Sequence, residues 1–157
     1  MSAFYKFALP PPLLKRGFWI YVWKIRTRRK LPKFYVGMKG DTGSYSAQSA
    51  INRVSAHLGH NKLSNTLGRY LKREGIEIES CNTLEFAAFG PIGTVPTDKA
   101  QYRVARAEIA AIEKHLWQNM HAAGMDMLNQ CPACKAQHNP KIFKLVRAAF
   151  TPFFERE

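Results

Sequence analysis

Six residues of this chain stand out for the chemistry their side chains could do, and they fall in a fixed order. Tyr21 lies in "IYVWK", Tyr35 in "FYVG", Arg53 and His57 in "NRVSAHL", Glu113 in "AEIAAIEKHL", and Asn129 closes "DMLN". A phenol titrates near pH ~10, so it serves as a base at neutral pH only beside cations. A guanidinium forks onto carboxylate or phosphate oxygens. A carboxylate holds a hard, oxygen-loving ion such as Mg²⁺. Arg53 and His57 are four residues apart, which puts both on one helix face. Taken singly, each residue has an ordinary reading. Strands favour tyrosine for packing, a helix arginine is usually solvated, a glutamate pairs with a lysine to little effect, and an asparagine belongs in a turn. Only the joint order raises a functional question.

The chain has 157 residues, fit for one domain with a real core, and 46% of them are hydrophobic. Lys and Arg number 24 against 11 Asp and Glu, a formal charge of +13. Such an excess is costly in self-repulsion and points to a polyanionic partner, nucleic acid ahead of an anionic membrane surface. The longest apolar run, around "GFWIYVW", falls far short of the ~20 residues that cross a bilayer. No signal-peptide pattern opens the chain. Its three cysteines argue against a secreted disulfide framework. These readings favour a cytoplasmic, nucleoid-associated protein.

The elements that must position the six residues can be read from pattern. Residues 1–16 read as an arm with "PPP" extended. "FWIYVWKIR" (18–26) and "KFYVGM" (33–38) read as a hairpin across the basic turn "TRRKLP". "KGDTGSYS" reads as a loop. Helices are expected over 46–59, with Ala50, Ile51, Val54 and Leu58 on one face, and over 62–75, with Leu63, Leu67, Tyr70 and Leu71. A third strand is expected within 76–90. The longest helix is expected over 98–123, capped by Thr97-Asp98, with a stripe of Val104, Ala107, Ala111, Ile112 and Leu116. A terminal helix in "KIFKLVRAAFTPFF" should stop at Pro152. The fold class is α/β: a small three-stranded antiparallel or mixed sheet flanked by helices, with a C-terminal helix. The domain reading is an arm (1–16), a main domain (17–130) and an extension (131–157).

This order resembles the GIY-YIG nuclease family, over roughly residues 17–130. "IYV" and "YVG" stand for the two halves of the signature. "RVSAHL" and "AEIAAIEKHL" resemble the family's arginine helix and glutamate helix, and the spacing selects Glu113 over Glu108. Trp19 stands where the first motif usually has glycine, and Met38 where repair members have lysine, with Lys39 one residue on. The Arg–His pairing is closer to the restriction-like or mobile-element branch. The resemblance implies a Mg²⁺- or Mn²⁺-dependent endonuclease hydrolysing phosphodiester bonds in DNA in preference to RNA. Its implied catalytic set is Tyr21, Tyr35, Arg53, His57, Glu113 and Asn129. Tyr21 is the expected general base, with Tyr35 orienting water and Arg53 on the phosphate. His57 would be a secondary acid/base, Glu113 the metal ligand, and Asn129 a positioning residue. Gly37 is expected to let a phosphate approach the backbone. Arg53, Lys39 and the metal are the cations expected to make the phenol more acidic.

Around this set lie further candidates. Lys24, Arg26, Arg28, Arg29, Lys30 and Lys33 form a basic prong across the hairpin turn. Lys39, Arg69, Lys72 and Arg73 extend it toward a phosphate backbone. "CPACKAQH" offers Cys131, Cys134 and His138 as three zinc ligands. The apolar "FKLVRAAFTPFF" tail would suit a homodimer interface. Two rival readings are a non-catalytic nucleic-acid-binding module of the same fold and a basic structural protein that rides on RNA.

Overall fold

Alternation along one strand organises the molecule. Strand β1 (Phe18–Thr27) is almost wholly buried, because its aromatic and β-branched residues are covered on both faces. Phe18, Ile20 and Val22 enter one apolar cluster, and Tyr21, Trp23 and Ile25 enter another. The computed structural model describes residues 4–28, 30–40, 47–59 and 65–154, with Lys30 described in its backbone only. Strand β2 (Lys30–Lys39) pairs antiparallel with β1, and strand β3 (Thr83–Ile92) pairs antiparallel on β1's other side. The two-residue strand β4 (Asp126–Met127) runs parallel to β2, giving a mixed sheet in the order β3-β1-β2-β4.

The sheet therefore has four strands, not three. The added strand is too short to leave a period in the sequence, and it lies in "DMLN", which reads as loop. The third strand also starts late. "IEIES" alternates as a strand does, but Ile78–Ser80 forms a 3-10 turn and the strand begins at Thr83.

Helix α3 (Lys99–Ala122) begins where Asp98 accepts a hydrogen bond from the Gln101 amide at 2.9 Å. It buries Tyr102, Ile109, Ala111, Ile112, Leu116 and Met120. Val104, expected in that stripe, is 72% exposed. Helix α4 (Pro140–Ala149) adds Val146, with Phe150 just beyond it, to the same cluster. The apolar tail is thus partly used inside the fold, with Phe153 and Phe154 packed on the cluster, while Leu145 is 61% exposed. The helix ends before Pro152, which lies inside a separate 3-10 turn, Thr151–Phe153. At the other end, Pro11–Leu14 is a 3-10 turn too, so "PPP" is not extended throughout.

Helices α1 (Ala50–Leu58) and α2 (Thr66–Arg73) cover the opposite face. Leu67 and Leu71 are buried as their spacing requires. The inward face of α1 differs from the expected one: Ala50 and His57 are buried, while Leu58 is 38% exposed. A polar residue has taken the place of a leucine in the interior. The loop expected over "KGDTGSYS" falls mainly on residues 41–46, outside the described residues, as does the expected start of the second helix, 62–64.

Candidate active site

Tyr21 faces Gly37 across the β1–β2 ladder, and Tyr35 faces Trp23. The two tyrosines are diagonal neighbours on one face, where long side chains meet. Their rings stack at 6.3 Å with an angle of 14°. Gly37 has a specific reason to be glycine: a Cβ there would overlap the ring carbon and hydroxyl of Tyr21. The missing side chain makes room for the tyrosine itself. This replaces the expectation that it makes room for a phosphate.

Three side chains, two from α1 and one from β2, converge on Tyr21. Arg53 Nε donates to its hydroxyl at 3.0 Å, and His57 Nε2 lies 3.3 Å away. Tyr35, stacked beside the same ring, also favours the phenolate. The phenol proton needs an acceptor and Arg53 has none to offer, so His57 Nε2 is assigned the accepting role. His57 is fully buried, and its Nδ1 finds no hydrogen-bond partner among the described residues. Its ring meets both tyrosines edge-on, at 5.5 and 5.2 Å.

Burial dominates the electrostatics. It pushes the Tyr21 phenol up to about 12, against the lowering pull of Arg53's charge and hydrogen bond. It also pushes Tyr35 up, with Tyr21 adding to the rise and Arg53 opposing it. His57 is held down at about 3, first by burial and then by the adjacent Arg53 charge. Arg53 is therefore the protein cation that acts on Tyr21, yet alone it does not make the phenol acidic. All three groups rest neutral.

Glu113 approaches from α3 on the free edge of β2. Burial raises its carboxyl to about 7, opposed by Arg106, by Arg53 and by a hydrogen bond from the Met38 amide. Glu108, five residues earlier, points elsewhere and accepts a hydrogen bond from the Asn139 amide at 3.1 Å. Asn129 continues the work of β4 on the same edge. Its amide oxygen accepts from Val36 N–H at 3.3 Å, and its nitrogen donates to Val36 C=O at 2.7 Å. Asn129 C=O accepts from Trp117 Nε1 at 2.9 Å, tying β2 to the helix that carries Glu113. An edge that could have stayed open is closed by one asparagine and one carboxylate.

Arg106 was not singled out from the sequence. It donates to Gly40 C=O at 2.8 Å and acts on Glu113 from two turns away on α3. The seven-residue spacing was the available signal. Trp19, in the place of a glycine, is buried against Gly90 and donates to Lys15 C=O at 3.2 Å.

The basic residues divide. Arg28, Arg69, Lys72 and Arg73 are exposed. Lys33 is not available as a surface cation: it is buried and bridges Glu74 at 3.0 Å and Asp126 at 2.8 Å. Arg26 pairs with Glu85 at 3.6 Å, and Lys24 and Lys39 are buried. Arg29 and the Lys30 side chain lie outside the described residues.

Among the described residues, Glu113 is the carboxylate whose charge acts on both tyrosines. One desolvated carboxylate fits an ion of the Mg²⁺ kind, which keeps several waters and takes further ligands from phosphate. Among the described residues, no three His, Cys, Asp or Glu side chains form a group that could hold a metal. Cys131 and Cys134 point their thiols at separate carbonyls, those of Pro132 and Ala107, while the His138 ring packs on His115 and Phe143.

The chain matches no protein-family model, no curated protein and no solved structure. Among the described residues, no helix is long and apolar enough to cross a membrane.

Proposed function

We propose that this protein is a metal-dependent DNA endonuclease of the GIY-YIG kind, with Tyr21, Tyr35, Arg53, His57 and Glu113 as its catalytic residues and Asn129 as a positioning residue. The observation that carries the reading is the convergence on one phenol: Arg53 at 3.0 Å and His57 at 3.3 Å from its oxygen, with the Tyr35 ring stacked at 6.3 Å. Glu113 is close enough to act on the same phenol. An all-apolar core would not gather a guanidinium, an imidazole and a carboxylate around one buried hydroxyl, since each costs desolvation.

In this reading Glu113 holds a divalent ion of the Mg²⁺ or Mn²⁺ kind. When bound, such an ion neutralises charge on the phosphate and makes a nearby water more acidic. Arg53 holds Tyr21 in place and sets its guanidinium charge beside the phosphate. Tyr21 takes the proton of the attacking water while passing its own to His57 Nε2, so no free phenolate has to form. The phosphodiester's negative charge favours proton uptake on His57. Tyr35 fixes the hydroxyl of Tyr21. Asn129 keeps β2 in register with α3, so that Glu113 meets the tyrosines.

The rival reading, a non-catalytic nucleic-acid-binding module, is favoured by one fact: Tyr21 is 0% exposed. Incubation with supercoiled plasmid, single-stranded DNA and RNA, each with Mg²⁺ or with EDTA, separates the two. The nuclease reading expects Mg²⁺-dependent nicking of DNA. Binding without cleavage under Mg²⁺ and Mn²⁺ would leave the rival standing.

A further inference from the structure

We infer that a groove beside the paired tyrosines binds an unpaired nucleobase of a DNA strand. The groove holds about 510 Å³, within the ~300–1,000 Å³ range of ligand clefts. Tyr70 and Arg73 line it from α2, Trp117 and His121 from α3, and Asp126 and Gln130 from the β4 segment. Three of these offer flat rings. Trp117 and His121 are stacked at 4.9 Å and 12°, and His121 is exposed. A ready-made stack with one open side is what an extruded base adds to. Arg73 sits 5.2 Å from the centre of the Tyr70 ring, a cation held on an aromatic face.

Charge argues for a base over a bare phosphate. The groove's two carboxylates, Glu74 and Asp126, share one ammonium, Lys33, and Arg73 on the same lining supplies a second positive charge, so the charges nearly cancel. A neutral, planar ligand suits that lining. Asp126 and Gln130 can take the amino and carbonyl groups on a base edge. The exposed Arg73 is left for the neighbouring phosphate.

The groove also abuts the candidate active site. Tyr70 packs on Tyr35 at 5.9 Å, and Asn129 belongs to both walls. Base binding stands on the groove alone. That the bound base lies next to the cut strand rests on the nuclease reading.

The test is metal-free binding, so that cleavage plays no part. A duplex with one unpaired 2-aminopurine is compared with the same duplex fully paired, in EDTA, with both affinity and fluorescence followed. The wild-type protein should prefer the unpaired form by about tenfold and quench its fluorescence, as base–aromatic stacking does. His121→Ala, at an exposed position, should remove most of that preference and leave affinity for the paired duplex unchanged. Equal affinity of the wild type for the two duplexes would overturn the inference. So would binding to neither, or an unpaired-base preference that survives His121→Ala. Loss of nicking elsewhere, with this preference intact, would count against the nuclease reading only.

Discussion

β1 feeds two clusters, one on each face of the sheet, and they differ in kind. On the α3–α4 face, Ile20, Val22, Val36, Ile112, Leu116 and Val146 are all 0% exposed and aliphatic. Their task is complete once they pack. On the α1–α2 face, the same strand buries Tyr21 and Trp23 against Tyr35, Phe86 and His57. Here burial leaves polar atoms without partners: among the described residues, His57 Nδ1 and Trp23 Nε1 make no hydrogen bond. An unpaired buried polar group costs about 1–3 kcal/mol. The first face is mainly aliphatic, with Tyr102 as its buried phenol, whereas the second gathers Tyr21, Tyr35, His57 and Arg53, polar groups that are expensive to hold. Local conflict of that kind is where function is expected.

The comparison can be broken at four places. Leu116→Ala, on the aliphatic face, should cost about 2–5 kcal/mol of stability. Thermal or urea unfolding measures it, and nicking per folded molecule should stay near wild type. Gly37→Ala should cost about 1–3 kcal/mol by crowding Tyr21. Its nicking should fall far more than the lost stability explains, which activity per folded molecule would reveal.

Asn129→Ala leaves both backbone groups of Val36 without their side-chain partner, a cost of about 1–3 kcal/mol. Faster amide exchange at Val36 is the direct readout.

The fourth effect is the smallest and concerns pH. His57 is depressed from 6.5 to about 3, so the unfolded chain binds its proton first, and stability falls as pH drops from about 6.5 toward 3. Glu113 is raised from 4.5 to about 7, so the folded chain keeps its proton longer, and stability falls as pH rises from about 4.5 through 7. The two slopes oppose each other where the windows overlap. Removing one should expose the other. In melting curves over pH 4.5–6.5, Glu113→Gln should steepen the gain in Tm with rising pH, and His57→Gln should leave a decline.

How far the sequence reveals this depends on whether the signal is periodic. Strand β1 and helix α3 are long and patterned, and they lie close to where the sequence places them. β4 has two residues and no period. "IEIES" has the period of a strand, but Asn82 N–H reaches Arg26 C=O only after a 3-10 turn has redirected the chain. The same limit applies to the site. Tyr21, Arg53 and His57 could be named from order, and the structure brings them within hydrogen-bonding distance. That Arg53 and His57 would share the inward face with Ala50 could not be read, because the expected apolar stripe of Ala50, Ile51, Val54 and Leu58 put Leu58 in the place His57 takes. The basic prong failed at Lys33 for a related reason. Charge is visible in sequence, while the carboxylates that consume it, Glu74 and Asp126, arrive from 41 and 93 residues away.

The central claim is that the Tyr21 hydroxyl takes part in bond cleavage and does more than fill the interior. Tyr21→Phe keeps the ring, its stacking and most of its volume, and removes only that oxygen. Single-turnover nicking of plasmid DNA by this variant, in Mg²⁺ and at matched DNA occupancy, tests the claim most directly. A loss of roughly 10²–10⁴-fold with DNA binding intact is expected, the size of a lost acid–base group. Nicking by Tyr21→Phe at the wild-type rate would contradict it.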